Sequence, residues 1–464
     1  MPMSRRLTLA LATALALPAA AKAQTLQEAL AQTYANNPAL QTARAQLRVV
    51  DENVPQALAG WRPTVSLSGS AGYVDGTARA RQNDVSYYSH VSRNTMTLAA
   101  TATQPIYRGG RTVASTRRAE NQVLAQRARL LATEQQVLQQ AINAYVNMIL
   151  YSEELRLNVN NVQVLQRQLD ATNERFRVGE ITRTDVAQAE SRLSAARANR
   201  ATAEGQLQSA RAVFQQVIGM VPNRLTAPQP LKAPVRSSQE ASQMAAVNNP
   251  NVVAALFDEA AGRDFIDVQM STLLPQASLQ AQGYRADNST SDGTRFTGGQ
   301  FTANVTVPLF QGGSEYASVR AARQDASRLR QVVDDQRRTA SQQATSAWET
   351  LVSNRATVDG NRSAIRAAEV ALDGVQREAV VGSRTTLDVL NQEQELLNNR
   401  VALVQALASN VTSSYALAAA VGRLTAKDLA LPVQIYDMTS YYKAVRDRWI
   451  GLGDYTPVAA TTER

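Results

Sequence analysis

An internal duplication constrains the fold of this 464-residue chain more than any other feature of its sequence. The stretch Gln104–Gly110 recurs 203 residues later as Val307–Gly313, and Val178-Gly179 recurs at the same offset as Val381-Gly382. Asn36-Asn37-Pro38 recurs as Asn248-Asn249-Pro250, in the same order along the chain. We therefore predict two similar units joined by a proline-rich linker. The predicted boundaries are a signal at 1–23, repeats at 24–221 and 237–424, the linker at 222–236 and a tail at 425–464.

The N-terminal residues have the pattern of an export signal. Arg5 and Arg6 precede the apolar run Leu7–Leu17, and Ala21-Lys22-Ala23 forms an A-x-A cleavage site. A buried N-terminal helix is the alternative, but it would not need a basic flank and a cleavage site together. We therefore expect residues 1–23 to be removed on export.

Composition narrows the function classes of the exported chain. The chain has no cysteine, which rules out a lipid-modified cysteine and a disulfide framework, and its single histidine is His90. Cys/His metal sites and His-dependent triads therefore lack their residues. The +9 formal charge is scattered along the chain, as on a solvated surface and not as in a nucleic-acid footprint. We expect no cofactor, metal site, nucleic-acid partner or enzymatic activity, and no transmembrane helix, because long uninterrupted apolar runs are missing after the signal.

Each half contains two segments in which apolar and uncharged polar residues alternate. The predicted strands are 64–73 and 95–103 in the first half, and 276–283 and 301–307 in the second. Such alternation fits a half-buried soluble sheet as well as a barrel wall between lipid and water. The intervening segments 74–94 and 285–298 are polar, as loops facing the cell exterior would be, which favours the barrel. Since four strands cannot close a barrel and open edges are not tolerated in lipid, several copies must combine their strands.

Two proline-free stretches, 106–221 and 309–431, are too long for the helices of a globular domain. Both are rich in helix-favouring Ala, Gln, Arg, Leu and Glu. In the first, Leu124, Leu131, Leu138 and Tyr145 recur every seven residues, as in a coiled coil. The first long helix of each half would span roughly 100 Å at about 1.5 Å per residue. Each half is therefore predicted to be a long helical hairpin below a β-hairpin. We expect the aromatic segment Pro432–Tyr455 to pack around the outside of these helices, and Tyr145 and Trp348 to be packing residues.

The duplication, both hairpin turns and the glycines at the two strand–helix junctions together resemble the TolC family of outer-membrane efflux and type I secretion channels. The junction glycines are Gly109, Gly110, Gly312 and Gly313. The resemblance covers essentially the whole chain after the signal. It implies a mixed α and β fold, in which three copies pool four strands each into a twelve-stranded transmembrane β-barrel above a long α-helical coiled-coil barrel. It also implies a homotrimer in the bacterial outer membrane, in contact with its lipid, whose tunnel lies in the periplasm.

The same resemblance assigns roles to the hairpin turns. The turn residues Val178, Gly179, Glu180, Val381, Gly382 and Ser383 would contact a periplasmic adaptor, a membrane fusion protein. Arg384 would bond across protomers to Thr184 and Asp185 and keep the tunnel shut. Asp388 would project into the lumen as a carboxylate ring, which attracts cations. The simpler alternative is that Thr184, Asp185, Thr386 and Asp388 cap or begin the returning helices.

Two positions depart from the family pattern. Asn391 stands where the best-known members carry a second Asp, and Ala379 stands where a Tyr helps to hold the closed state. We therefore expect a weaker cation lock and a looser gate.

The leading hypothesis is a passive exit duct for a tripartite efflux pump or a type I secretion system, energised by an inner-membrane transporter. Drugs and secreted proteins are both compatible cargo. The alternative is a periplasmic adaptor-like coiled-coil assembly protein, which would normally carry one helical hairpin and lack the four strands.

Overall fold

The order of helices and strands repeats once along residues 24–453, the part that the computed structural model describes. The predicted signal 1–23 and the end of the predicted tail, with Tyr455, lie outside the described residues. The first repeat contains α1 (Leu26–Asn36), α2 (Pro38–Asp51), α3 (Asn53–Leu58), β1 (Thr64–Gln82), β2 (Val85–Arg108), α4 (Arg111–Arg177) and α5 (Arg183–Ile218). The second contains α6 (Ser238–Asn248), α7 (Pro250–Met270), β3 (Gln276–Asp287), β4 (Arg295–Thr306), α8 (Ser314–Val380) and α9 (Thr386–Ala420). The short helix α10 (Ser440–Val445) follows.

The repeated Asn-Asn-Pro motif has the same structural role in both halves. The side chains of Asn37 and Asn249 accept hydrogen bonds from the second residue of the following helix, whose first position is proline. Their amide groups also donate across the repeat, Asn37 to the carbonyl oxygen of Val217 at 3.1 Å and Asn249 to that of Ala420 at 3.2 Å. One asparagine thus starts a helix and ties it to the end of the returning long helix.

The four strands form one antiparallel sheet in the order β1-β2-β3-β4. The two predicted alternating sets lie on opposite faces, because cross-strand partners share a face. One row across the sheet is apolar and the next is polar: Val65, Ala102, Ala281 and Phe301, then Ser66, Thr101, Gln282 and Gln300. Val65 is 77% and Phe301 90% exposed in the single chain. The apolar face therefore has no cover within residues 24–453.

The strands are longer than the sequence pattern predicts. Segment 74–94, predicted as a loop, continues β1 and β2 to a two-residue turn at Asn83-Asp84, where both residues have positive φ (50° and 61°), as in a type I′ hairpin. Between Asn94 and this turn, β2 pairs with β1 alone. We call this two-stranded part of the hairpin the ribbon. The predicted loop 285–298 is likewise shorter, since β3 reaches Asp287 and β4 begins at Arg295. Val307, predicted in the last strand, lies just beyond it.

The two long helical hairpins are present as predicted. Helices α4 and α8 each have 67 residues, which corresponds to roughly 100 Å, and α5 and α9 return over about half that length. In the predicted heptad, Leu138 and Tyr145 are fully buried in the largest core cluster, whereas Leu124 and Leu131 are half-buried. Trp348 packs against a second cluster, as expected of a packing residue.

One helix within residues 24–453, α9, is long and apolar enough to cross a membrane, with a mean hydropathy of 1.2 in its most apolar window. Polar residues interrupt it, among them Gln405 and Asn410. Its Leu417 packs with Leu351 of α8 in a buried cluster. We therefore interpret α9 as a helix of the hairpin bundle.

The described part of the tail, residues 425–453, packs on the helices of the first repeat. Three arginines of that repeat stack on aromatic rings of the tail: Arg44 on Tyr436, Arg127 on Tyr442 and Arg62 on Trp449. The Tyr441 hydroxyl donates to the Glu52 carboxylate at 2.8 Å. The tail therefore packs against α2, α4 and the segment that follows α3.

Candidate functional site at the hairpin turns

The first turn joins α4 to α5 through Val178, Gly179 and Glu180. Gly179 has φ +78° with open space around its Cα, and its N–H donates to the carbonyl oxygen of Phe176. A residue with a Cβ would be strained at this φ, which is why glycine stands there. Arg175 pairs with Glu180 at 2.6 Å, so the turn is closed by an ion pair at the surface.

The second turn joins α8 to α9 through Val381, Gly382 and Ser383, with the same backbone form. Gly382 has φ +81°, and the Ser383 N–H and hydroxyl both donate to the Glu378 carbonyl oxygen, at 3.0 and 2.9 Å. Val178 and Val381 are both largely exposed. The turns therefore present uncovered apolar side chains, Val178 at the first and Val381 with its neighbour Val380 at the second, beside a bare stretch of backbone.

A capping box starts the returning helix after each turn. Thr182 and Thr385 are the N-caps, and their hydroxyls accept from the N–H groups of Asp185 and Asp388, whose carboxylates accept in return from the threonine N–H at 3.0 Å. The predicted helix-start role of Asp185 and Asp388 is thus confirmed. Thr184 and Thr386 lie in the first helical turn, but they are not the caps.

The capping bonds also set the charge state of the two aspartates. Hydrogen bonds from Thr182 lower the pKa of Asp185, and those from Thr385, aided by the charge of Arg384, lower the pKa of Asp388. The hydrogen bond from Arg175 lowers the pKa of Glu180. These carboxylates are therefore ionised at neutral pH and place fixed negative charge at the turns.

Arg384 bonds within its own turn in the single chain. Its Nε lies 2.9 Å from the Glu378 carboxylate, and this hydrogen bond and ion pair, with a smaller contribution from the Asp388 charge, raise the pKa of Arg384. Thr184 and Asp185, its expected partners across protomers, are on the other hairpin, and Asp185 is engaged by Thr182. Glu378 is a partner that the sequence pattern did not indicate.

Asn391 has a partner that sequence reasoning missed. Its side-chain Oδ1 accepts from Arg192 of α5 at 2.8 Å. The preceding residue, Leu390, is 1% exposed and is buried among residues of the first hairpin. Ala379, the other departure from the family pattern, is buried. The two hairpins therefore meet at Asn391, close to both turns.

The strand–helix junctions repeat a pair of left-handed glycines. Gly110 and Gly313 are the N-caps of α4 and α8, at φ +80° and +88°. Gly109 is packed against the Ser271 carbonyl, whereas its counterpart Gly312 lies in open space. These glycines let each chain segment turn sharply from sheet to helix.

No candidate metal site is present in the described part of the chain. Among residues 24–453 there is no group of three His, Cys, Asp or Glu able to hold a metal ion. A groove of about 610 Å³ lies between α4 and α5 and is lined by apolar and uncharged polar side chains such as Gln140, Tyr151 and Ser209. The carboxylates whose pKa is lowered by capping or ion pairing at the turns are Glu180, Asp185 and Asp388.

Comparison with known proteins places this geometry in a family. A family model for outer membrane efflux proteins matches residues 10–220 and 241–423. The outer membrane efflux protein BepC of Brucella suis biovar 1 is 36% identical over 436 residues, covering 93% of each chain. Outer membrane protein TolC of Escherichia coli is 23% identical over 430 residues, covering 88% of this chain and 84% of its own.

A solved structure shows the same fold. The Campylobacter jejuni CmeC outer membrane channel matches with a TM-score of 0.76 at 16% identity, covering 91% of this chain and 89% of that one. The sheet, the two hairpins and their turns thus have counterparts in sequence and in structure. The chain belongs to the outer membrane efflux protein family.

Proposed function

We propose that three copies of this outer-membrane efflux protein form one passive exit duct, in which β4 of each copy pairs with β1 of the next. The observation that carries the proposal is a four-stranded sheet with two free edges and an uncovered apolar face, standing on two 67-residue helices. Twelve pooled strands leave no edge in the lipid. The family consists of channel proteins and not of enzymes.

The periplasmic adaptor alternative does not fit this architecture. Such a protein is expected to have one helical hairpin and to lack the four amphipathic strands, whereas this chain has two hairpins and the strands. The long helices instead form the wall of a tunnel reaching roughly 100 Å from the barrel into the periplasm.

The proposed gate lies at the hairpin turns. Asp388, ionised at neutral pH, is repeated by the three-fold symmetry as a carboxylate ring in the lumen, which favours cations over anions. Arg384 leaves Glu378 in the assembled duct and bonds to Thr184 and Asp185 of the neighbouring protomer, which holds the turns together. Untwisting of the turns opens the tunnel.

The exposed turns are the proposed contact for partners. Val178 and Val381, each beside a glycine turn, offer an apolar side chain and accessible backbone to a periplasmic adaptor. The adaptor connects the duct to an inner-membrane transporter, which supplies the energy. Because BepC is named as an efflux protein, we favour small efflux substrates over secreted proteins as cargo.

Single-channel conductance of the purified protein in a planar bilayer tests the duct. We expect a small, cation-selective resting current, which loses selectivity in Asp388→Ala and grows in Arg384→Ala. Asp359→Ala, which removes an exposed carboxylate on α8, is the matched control and should change neither property. Folded, inserted protein without any channel would refute the duct. A wide-open wild-type pore would refute the gate alone.

A further inference from the structure

The Arg192–Asn391 hydrogen bond joins the two helical hairpins near their turns. The guanidinium Nη2 of Arg192, in α5, lies 2.8 Å from Oδ1 of Asn391, in α9. Arg192 is half-buried. Within residues 24–453, no other side-chain hydrogen bond links α5 to α9. The relative position of the two returning helices is therefore defined at this point.

A buried apolar contact stands directly beside this hydrogen bond. Leu390, next to Asn391, packs into a cluster formed by the first hairpin, and Leu193, next to Arg192, belongs to the same cluster. The other buried members are Leu165, Leu169, Ala189 and Ala196. On each helix, one residue is buried in the apolar cluster and its neighbour forms the hydrogen bond. The hydrogen bond is therefore held in place by buried packing, unlike that of a freely solvated arginine.

The hydrogen-bond acceptor of Arg192 carries no charge. Within residues 24–453, Arg192 forms no salt bridge, and its hydrogen-bond acceptor is a neutral amide. Asp388 lies three residues before Asn391 on α9, hence on the same helix face, about one turn away. The Arg192 guanidinium therefore binds α9 about one helical turn from the residue that we propose forms the carboxylate ring.

We propose that Arg192 and Asn391 form an intrachain clasp that positions the first hairpin against the second beside the constriction, and that the Arg192 charge determines ion selectivity there by offsetting Asp388. This inference rests on the proposed gate. Position 391 thus takes part in a link between hairpins that carries net positive charge, and it does not add a second ring of carboxylates.

Three variants separate the clasp from the charge. Asn391→Ala removes the acceptor and leaves the charge unchanged, so the resting conductance should rise several-fold with little change in selectivity. Arg192→Gln keeps a donor for Asn391 but removes the charge, so the preference for cations should increase at a nearly unchanged conductance. Asn391→Asp keeps the link as an ion pair and adds a carboxylate, so the current should stay low and become more cation-selective.

Arg200→Gln is the matched control, because Arg200 lies further along α5 and pairs with Glu204 of the same helix at 2.8 Å. It should leave conductance and selectivity unchanged. If Asp388→Ala alters selectivity while the Arg192 and Asn391 variants behave like this control, the clasp is wrong and the gate stands. If the folded wild-type protein forms no channel, the proposed function itself fails.

Cross-linking tests the clasp without relying on current. Since the chain has no cysteine, the double variant Arg192→Cys/Asn391→Cys carries the only thiols. A short, reducible bifunctional thiol reagent should give an intrachain product that migrates differently in a denaturing gel. In the bilayer, this product should have a low resting current that increases on reduction. Absence of an intrachain product in folded protein would overturn the proposed contact.

Discussion

We predict that Asp51→Asn strengthens docking of the C-terminal tail at neutral pH. Asp51 ends α2, is 1% exposed, and neither of its carboxylate oxygens has a hydrogen-bond partner in the structure. Burial raises the pKa of Asp51 from 3.8 to about 6, which the charge of Arg127 opposes and that of Glu52 reinforces. Burial raises the pKa of Tyr436 of the tail, and the Asp51 charge adds to this rise, so the two side chains are near each other. If the tail supplies this burial, its docking favours the neutral carboxyl group of Asp51.

The sign and size of the pH effect follow from this pKa. Below about pH 3.8, Asp51 is protonated whether the tail is docked or released, so ionisation of Asp51 does not weaken docking. Between about 3.8 and 6 only the docked state holds the proton, so docking weakens as the pH rises. Above about pH 6, Asp51 is ionised in both states. The free energy of docking is then less favourable than at low pH by about 3 kcal/mol, if release fully hydrates the carboxylate.

Hydrogen exchange of the backbone amides in residues 436–449 measures tail release. In the wild type, after correction for intrinsic exchange rates, we expect release to be more frequent near pH 8 than near pH 5. In Asp51→Asn it should be rare at both values. Asp447→Asn, which removes an exposed carboxylate of the same tail, should keep the wild-type dependence. Equal release at both pH values in the wild type, or a looser tail in Asp51→Asn, would refute the reasoning.

The structure supports three further predictions about stability. Gly109→Ala places a Cβ 2.6 Å from the carbonyl oxygen of Ser271, so it should lower the melting temperature more than Gly312→Ala, whose site is open. Tyr145→Phe removes a hydroxyl that lies 2.7 and 2.8 Å from two backbone carbonyl oxygens, and should reduce the free energy of unfolding in urea by ~1–3 kcal/mol. Leu390→Ala should cost ~2–5 kcal/mol locally, seen as faster proteolysis at the turns.

Each of these predictions has a result that contradicts it. Equal melting temperatures for the two glycine variants would mean that the junctions tolerate the same side chain despite their different surroundings. Unchanged urea stability in Tyr145→Phe would show that water replaces the hydroxyl. A wild-type rate of proteolysis in Leu390→Ala would show that burial of Leu390 does not stabilise the hairpins beside the Arg192–Asn391 clasp.

Most of the helical architecture could be predicted from the sequence, because its signals are local. The absence of proline, the heptad at Leu138 and Tyr145, and the Val-Gly turns indicate helices that the structure bounds within a few residues. The strands were only partly predicted. Alternation identifies a strand most clearly where one face carries large apolar side chains. In the ribbon, Asp75, Arg79 and Arg81 share one face, and the opposite face of β1 consists mainly of small residues, so the signal is weak. The pairing of the ribbon follows from the Asn83-Asp84 turn and the register.

The contacts at the candidate site depend on tertiary structure and were harder to predict. The helix-start role of Asp185 and Asp388 is predictable because it depends on neighbouring residues, but the N-caps are Thr182 and Thr385, which were not predicted. Arg192 and Asn391 lie 199 residues apart on different hairpins, and no local pattern connects them. The pairing of Arg384 with Glu378 depends on the shape of the turn. The stacking of tail aromatics on Arg44 and Arg127 likewise requires the fold to bring them together.

The two free sheet edges have a consequence for how the protein matures after export. A lone copy carries unpaired backbone groups along β1 and β4, and such edges add any strand that they meet. Closure into a ring thus competes with open-ended addition of strands. Which process dominates depends on how quickly copies of this chain meet one another. In the proposed trimer, closure removes every edge at once. Such a closed ring would expose no strand edge to which a further copy could add.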